Sequence, residues 1–598
     1  MARSGWRGQR VALLLSAIMV AAFLVPPASA HITGNAGHNW KKHYRKFAQR
    51  MFFTKAQSNA RFAASGHEHD ALAVGGVEGL RLIGTGETPN LIGGFVENIV
   101  GPAVVGATIA GGGCAAADCT IDRPNVVNGD YGSVGGGTGN TSGGVHAVVA
   151  GGEDNVANGS GATIAGGRRN EAIATEATVG GGRNNEATGD QSVVAGGDAI
   201  IASGFRSAVL GGSMNLATGN HATVGGGIQN QATFDRALVA GGGSNLAAGI
   251  FGTVGGGFTN LVTDLGGTVS GGRTNQAGDA AGTATDRADA TVGGGQTNVA
   301  SGSGATIAGG RRNEATGTEA TVGGGRDSDA TGEQSVVAGG DTNIASGFRS
   351  ALLGGSGNVA SGNLATVGGG LLNQATGHLA VVAGGDQNVA AGDWATISGG
   401  VGNAADGDVS FAAGRRAKAL HHGAFVWGDS LNFDIASTVV NSFLARTTGG
   451  ATFVTAVDGA GVPTAGVNVP AGGGAWASLS DRASKEAVVP VDPAEILASV
   501  VELPVATWSW RSQGLGIRHI GPMAQDFHGA FGVGESDRYI TTVDADGVAL
   551  AAIQGLHQQL QERDAQITLQ NRKLAEQAQR IADLEDRLAA LEALMLEG

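Results

Sequence analysis

The chain has little of what an ordinary catalytic core needs. Of its 598 residues, 5% are aromatic and 15% charged. There are two cysteines, too few for a structural zinc site, which takes four ligands. No basic stripe runs through the repeats, so nucleic acid is not an expected partner. Lys and Arg number 37 against 51 Asp and Glu, and the net charge of −14 reads as solubility rather than as a binding device. No Asp/Glu column recurs, so the paired carboxylates of a glycan-degrading site are missing from the repeats. Glycine does not fall at every third residue, which excludes collagen. After the N-terminus no second apolar run is long enough to span a membrane. Neither a metal nor a cofactor is expected.

What the chain has is glycine, 108 of them, in register. A Gly-Gly step recurs every fifteen residues, and its second glycine serves as a marker. Markers run from Gly137 to Gly272, skip to Gly295, and continue to Gly400, eighteen rungs in all. Three residues before each marker stands an aliphatic side chain, as in Val134, Ile164, Val179, Val322 and Ile397, without exception. Three residues after it stands Asn in sixteen rungs, with Ile200 and Ser328 as the departures. Five residues after it stands Ala, as in Ala157, Ala187 and Ala315, with Ser142 and Val262 as the departures. Such a period means a solenoid. The aliphatic column reads as an inward stack of short strands, since β-branched residues pack well on a pleated surface. Gly-Gly and Asn read as positive-φ turn formers, and stacked Asn can also form a ladder along the coil axis. A helix is excluded, because each interior Gly would cost about 1 kcal/mol.

A block is also duplicated. The segment beginning at Ser160 returns at Ser303, a shift of 143 residues, which is nine rungs plus the eight-residue insertion between Gly272 and Gly295. Duplication lengthens a fibre without a new fold. The Gly-Gly-x-x-Asn-x-Ala style resembles the head of trimeric autotransporter adhesins, a left-handed parallel β-roll. The resemblance covers residues 90–412. It implies a homotrimer, with the thin Ala and Val faces closed by neighbouring chains.

The N-terminus reads as a secretory signal. Arg3, Arg7 and Arg10 precede the apolar run Val11 to Val25, and Ala28-Ser29-Ala30 forms a cleavage motif. The expected segments are a signal peptide 1–30 cut after Ala30, a basic and aromatic cap region 31–89, the roll 90–412, a β connector 413–479, a mixed α+β segment 480–552, and a coiled coil 553–598. The mature chain is expected outside the cytoplasm, secreted or at a cell surface, with no transmembrane anchor. No membrane β-barrel is read at its end, a departure from the autotransporter pattern. In this oxidising setting Cys114 and Cys119 are expected to form a local disulfide. The basic stretch His38 to Arg61 reads as a helix capping the open roll, with binding to an anionic cell-wall polymer or membrane surface as the alternative. His67 and His69 have metal-like spacing but read as a solvated loop. In the coiled coil, a positions run Ile553, Leu560, Ile567, Leu574, Ile581, Leu588 and Met595. Arg563, Gln570 and Gln577 are polar d positions that fix register.

The mixed segment holds SDRASKEAVVPVDPAEILASVVELPVATWSW from Ser480, then HIGPMAQDF, then ITTVDADGVALAAIQGL leading into the coiled coil. These motifs resemble the intramolecular chaperone and self-cleaving peptidase domain of endosialidases and phage tail spikes. The resemblance covers 480–598. It implies trimeric assembly followed by a cut just before the serine, with Ser480 as nucleophile, Lys485 as base, and Leu479–Ser480 as the bond cut. A serine needs a base to take its proton, and a lysine serves only when neutral, which burial favours. The five-residue spacing puts the two on different faces of a helix or strand, so they meet across a turn or between chains. Ala483 and Ser484 depart from the family's usual Arg and apolar residue. From the residues alone, Ser480-Asp481 also reads as the cap of a short helix.

The resulting expectation is a mainly β, secreted, homotrimeric fibre or adhesin. Its C-terminal domain directs trimer folding and removes itself in a single turnover. The alternatives are a tail-spike-like protein that binds or degrades glycans, with a surface glycan as partner, and an ice-binding solenoid using the column Thr163, Thr178, Thr223 and Thr253. That Thr column is broken by Val193, Ala208 and Leu238.

Overall fold

The computed structural model describes residues 73–74, 77–84, 88–279, 288–514 and 516–596. The signal segment, His38 to Arg61, and His67 and His69 lie outside the described residues. The chain forms two units, one ending at Gln334 and the other starting at Ser335.

In the first unit each fifteen-residue rung folds as two two-residue strands, such as Thr163–Ile164 and Glu171–Ala172. Each stacks in parallel on the next rung. Thr163 faces Thr178 and Ile164 faces Val179 in one sheet, while Glu171 faces Glu186 and Ala172 faces Ala187 in the other. A one-residue bridge, Arg168 to Arg183, ties the third side. Strands this short survive because every residue pairs above and below, so backbone groups are satisfied along the axis rather than along the strand.

The core is built within one chain. Ile164, Val179, Ala172, Ala187 and the Asn column are all fully buried. The expectation that neighbouring chains close the Ala and Val faces is therefore corrected, since the coil closes on itself. The role given to Asn as a turn former is corrected too. Positive φ falls on the residue just before it, Arg169 at 53°, and on a second column that includes Glu176 at 56°. Asn itself forms the ladder. Asn155 Nδ2 donates to Gly151 O at 3.0 Å, Gly167 O at 2.9 Å and Asn140 Oδ1 at 3.1 Å, and Asn155 Oδ1 accepts from Asn170 N–H at 3.0 Å. The marker glycine makes room for it. Gly152 has φ +99°, and a Cβ there would lie 2.1 Å from Gly167 O and 2.5 Å from Asn155 Nδ2. Cys114 and Cys119 are joined in a disulfide across the short helical turn Ala116–Cys119.

The second unit opens with the same rungs, for example Val336 facing Ala351 and Val337 facing Leu352. Its strands then lengthen into Phe411–Arg415, Phe425–Gly428 and Phe443–Arg446. On the outer face of these strands Phe411, Phe425 and Phe443 stack at 4.7 and 4.9 Å. A three-stranded antiparallel sheet follows, Ala451–Val457, Pro463–Val469 and Ala477–Ser478. Beyond it come the helix Pro493–Glu502, the hairpin Ala506–Trp508 with His519–Gly521, the helix Ala524–Phe531 and the 55-residue helix Thr542–Leu596. The last packs on Pro493–Glu502 where Gly555 allows close approach, because a Cβ there would lie 2.2 Å from Pro493 O. Further along, its apolar stripe Leu560, Ile567, Leu574, Ile581 and Leu588 is exposed. Among the described residues no helix is long and apolar enough to cross a membrane.

Candidate functional site

The strand Ala477–Ser478 is the third and edge strand of its sheet. Ser478 pairs with Val467 and Ala477 with Asn468. Leu479 extends this edge by one residue, its N–H donating to Gly466 O at 2.9 Å. The chain then leaves the sheet at Ser480 and turns. Asp481 caps the turn Arg482–Ser484, its Oδ1 accepting from Ala483 N–H at 2.9 Å. Ser484 Oγ donates back to Asp481 O at 2.8 Å.

That turn brings the predicted pair together. Lys485 Nζ donates to Ser480 Oγ at 2.5 Å within one chain. Of the two geometries the spacing leaves open, contact across a turn is the one seen. The capping reading of Ser480-Asp481 also has a counterpart, but Asp481 does the capping and leaves the Ser480 hydroxyl free for Lys485. Ala483 and Ser484 lie within the turn Arg482–Ser484. Both members of the pair are exposed in the single chain.

Next to the bond before Ser480 lies a cavity of about 260 Å³, lined by Phe453, Val454, Pro463, Val467, Leu479 and Ser480. Sequence reasoning did not find it, because the apolar residues of Ala451–Val457 carry no signature beyond alternation. Sequence reasoning also missed a groove on the roll. It holds about 570 Å³ and includes Phe205, Asn220, His221, Asp235, Arg236 and Phe251 in its lining. Phe205 meets His221 edge-on at 5.5 Å, and the Arg236 guanidinium lies 5.0 Å over Phe251. Aromatics that interrupt otherwise polar turn columns were the available signal. Among the described residues no His, Cys, Asp or Glu group could hold a metal ion.

Residues 480–532 match the family described as the chaperone of endosialidase. No curated protein matches the chain. The match starts at Ser480, the residue where the chain leaves the sheet. The chain thus joins a parallel β-roll of fifteen-residue rungs to a segment that matches the chaperone of endosialidase.

Proposed function

We propose that this chain is a secreted, homotrimeric, adhesin-like fibre whose C-terminal segment directs trimer folding and then releases itself by cutting Leu479–Ser480. The carrying observation is that the family match begins at the serine whose Oγ receives Lys485 Nζ at 2.5 Å. The exposed stripe of the long helix supports a coiled coil between copies, because an apolar seam of this length is otherwise left in water.

The chemistry uses both residues. Ser480 Oγ attacks the carbonyl carbon of Leu479, and neutral Lys485 takes the hydroxyl proton. The C–N bond breaks and the Ser480 nitrogen leaves as an amine carrying that proton. The acyl group of Leu479 is then an ester on Ser480 Oγ. Water hydrolyses it to a Leu479 carboxylate and restores the hydroxyl. A lysine works this way only when desolvated. Ser480 and Lys485 are exposed in one chain, so covering by partner copies is the step that arms the pair and ties cleavage to assembly.

For the alternative of a glycan partner, the proposed binding place is a groove on the roll. The groove from Phe205 to Phe251 offers aromatic faces beside Asn220, Asp235 and Arg236, a mixture suited to a ring with hydroxyls. Glycan-array binding that survives Phe205→Ala with Phe251→Ala would remove this assignment.

The test of the main reading is mass analysis of the secreted product, native and denatured. Wild type is expected as a trimer of chains ending at Leu479. Ser480→Ala and Lys485→Ala are expected as trimers of uncut chains. A wild-type trimer that stays uncut, or a fragment starting at residue 480 from Ser480→Ala, would refute self-cleavage and leave the chaperone role standing.

A further inference from the structure

We propose that the strand Pro463–Val469 is the substrate-holding strand of the self-cleavage, and that Gly466 is the positioning residue for the Leu479–Ser480 bond. This rests on the self-cleavage reading above. Proteins commonly bind an extended peptide by adding it to a sheet edge, where main-chain hydrogen bonds fix its register. Here the segment before the cut is already such an added strand. Ser478 and Ala477 pair with Val467 and Asn468, and Leu479 N–H is tied to Gly466 O at 2.9 Å. That bond is the last before the chain turns away, so it sets where the Leu479 carbonyl lies relative to Ser480 Oγ.

Gly466 is placed for this role by its backbone. Its φ is +154°, and a Cβ would lie 2.3 Å from Phe453 O. Opposite it the ladder shifts register between Val454 and Ala456. The residue before the cut, Leu479, also lines the cavity together with Phe453, Val454, Pro463 and Val467. The sheet and all of the cavity lining except Ser480 come from residues before the cut, and the dyad from residues after it. The site is therefore composite. After the cut the holding strand stays with the fibre and the nucleophile leaves with the released segment, which explains a single turnover without any further inactivation step.

Two variants of the full chain test this. Gly466→Ala shifts the holding strand. Replacing the Leu479 amide with an ester, by incorporating the α-hydroxy analogue of leucine, deletes the N–H donor and leaves every side chain in place. Cleavage is followed by gel, trimer state by native mass, and the cleavage rate is measured against pH. The expected result for both variants is an intact trimer cut at least tenfold more slowly, approaching roughly a hundredfold if the carbonyl moves by about 1 Å. The midpoint of the pH profile should stay where it is in wild type, because the dyad is untouched. Cleavage at the wild-type rate in either trimeric variant overturns the positioning role while leaving self-cleavage intact. A displaced pH midpoint overturns it too, by placing the effect on the dyad. If Gly466→Ala does not assemble, the ester variant alone decides. If wild type itself stays uncut as a trimer, the self-cleavage reading and this proposal fall together.

Discussion

Replacing Asn155 by Ala should destabilise the roll locally by about 2–4 kcal/mol. The estimate follows the ladder. Asn155 Nδ2 donates to two glycine carbonyls and to Asn140 Oδ1, and Asn155 Oδ1 accepts from Asn170 N–H. Gly167 O keeps a second partner, Glu153 N–H at 2.8 Å, and loses little. Asn170 N–H loses its acceptor while fully buried. An orphaned buried donor costs about 1–3 kcal/mol, and each ordinary hydrogen bond contributes about 1 kcal/mol. The chain contains its own partial control. Ile200 stands in the Asn column and can accept nothing, and Asn215 N–H, one rung on, has no acceptor among the described residues. Rungs contact only their neighbours, so the loss should be local. Amide hydrogen exchange is the suitable assay. Protection at Asn170 and Glu171 should fall by about two orders of magnitude, since every 1.4 kcal/mol is tenfold. Rungs beyond Gly242 should keep theirs. Unchanged protection at Glu171, or a uniform loss along the whole unit, would refute the ladder as a stabilising element.

Other consequences are open to measurement. Ser192 and Ser207 bury hydroxyls with no partner, at positions where neighbouring rungs have Ala177 and Ala222. The change to Ala at each should stabilise by about 1 kcal/mol, and a lower melting temperature would contradict that. Deleting 480–598 before expression should give monomer or aggregate, while removing the same segment after assembly should leave a trimer. A deleted chain that trimerises unaided would end the chaperone role. Asp429 accepts from the Thr448 N–H and hydroxyl and from Arg446, contacts that hold its carboxyl well below the usual carboxylate range. A depressed folded-state value gives stability that is present above the ordinary carboxylate pKa of about 3.9 and is lost as pH falls below it. Proteolysis between residues 429 and 448 should therefore accelerate as pH drops below about 4 in wild type. Asp429→Asn should lack that acid-dependent rise, and parallel pH curves would show that the junction does not depend on this carboxylate.

The roll was legible because its physics is one-dimensional. A column can be read from spacing alone when every rung meets the same neighbours, so Ile164, Val179 and Ala172 point inward as the period requires. What spacing cannot tell is which chain closes the core. Ala and Val look too small to fill a coil, and the sequence reading turned to partner copies. The missing volume is supplied by Asn, whose amide is buried because glycine carbonyls from its own and the next rung satisfy it. A polar residue filling core space is invisible to a hydrophobic pattern. The dyad was legible for a different reason. Ser480 and Lys485 were located by resemblance, and only the turn built by Asp481 shows how a five-residue spacing closes to 2.5 Å. The holding strand had neither kind of signal. Gly466 is one glycine among 108, and nothing in its local sequence marks it. Its role exists only once Ala477–Ser478 returns to pair with Val467 and Asn468, a contact set by the loop from Pro470 to Trp476 and not by any repeat. Periodicity thus finds what is stacked, and resemblance points to the pair proposed to react. The element that would bring the reacting bond to its nucleophile is neither periodic nor part of the matched segment, so it becomes visible only in three dimensions.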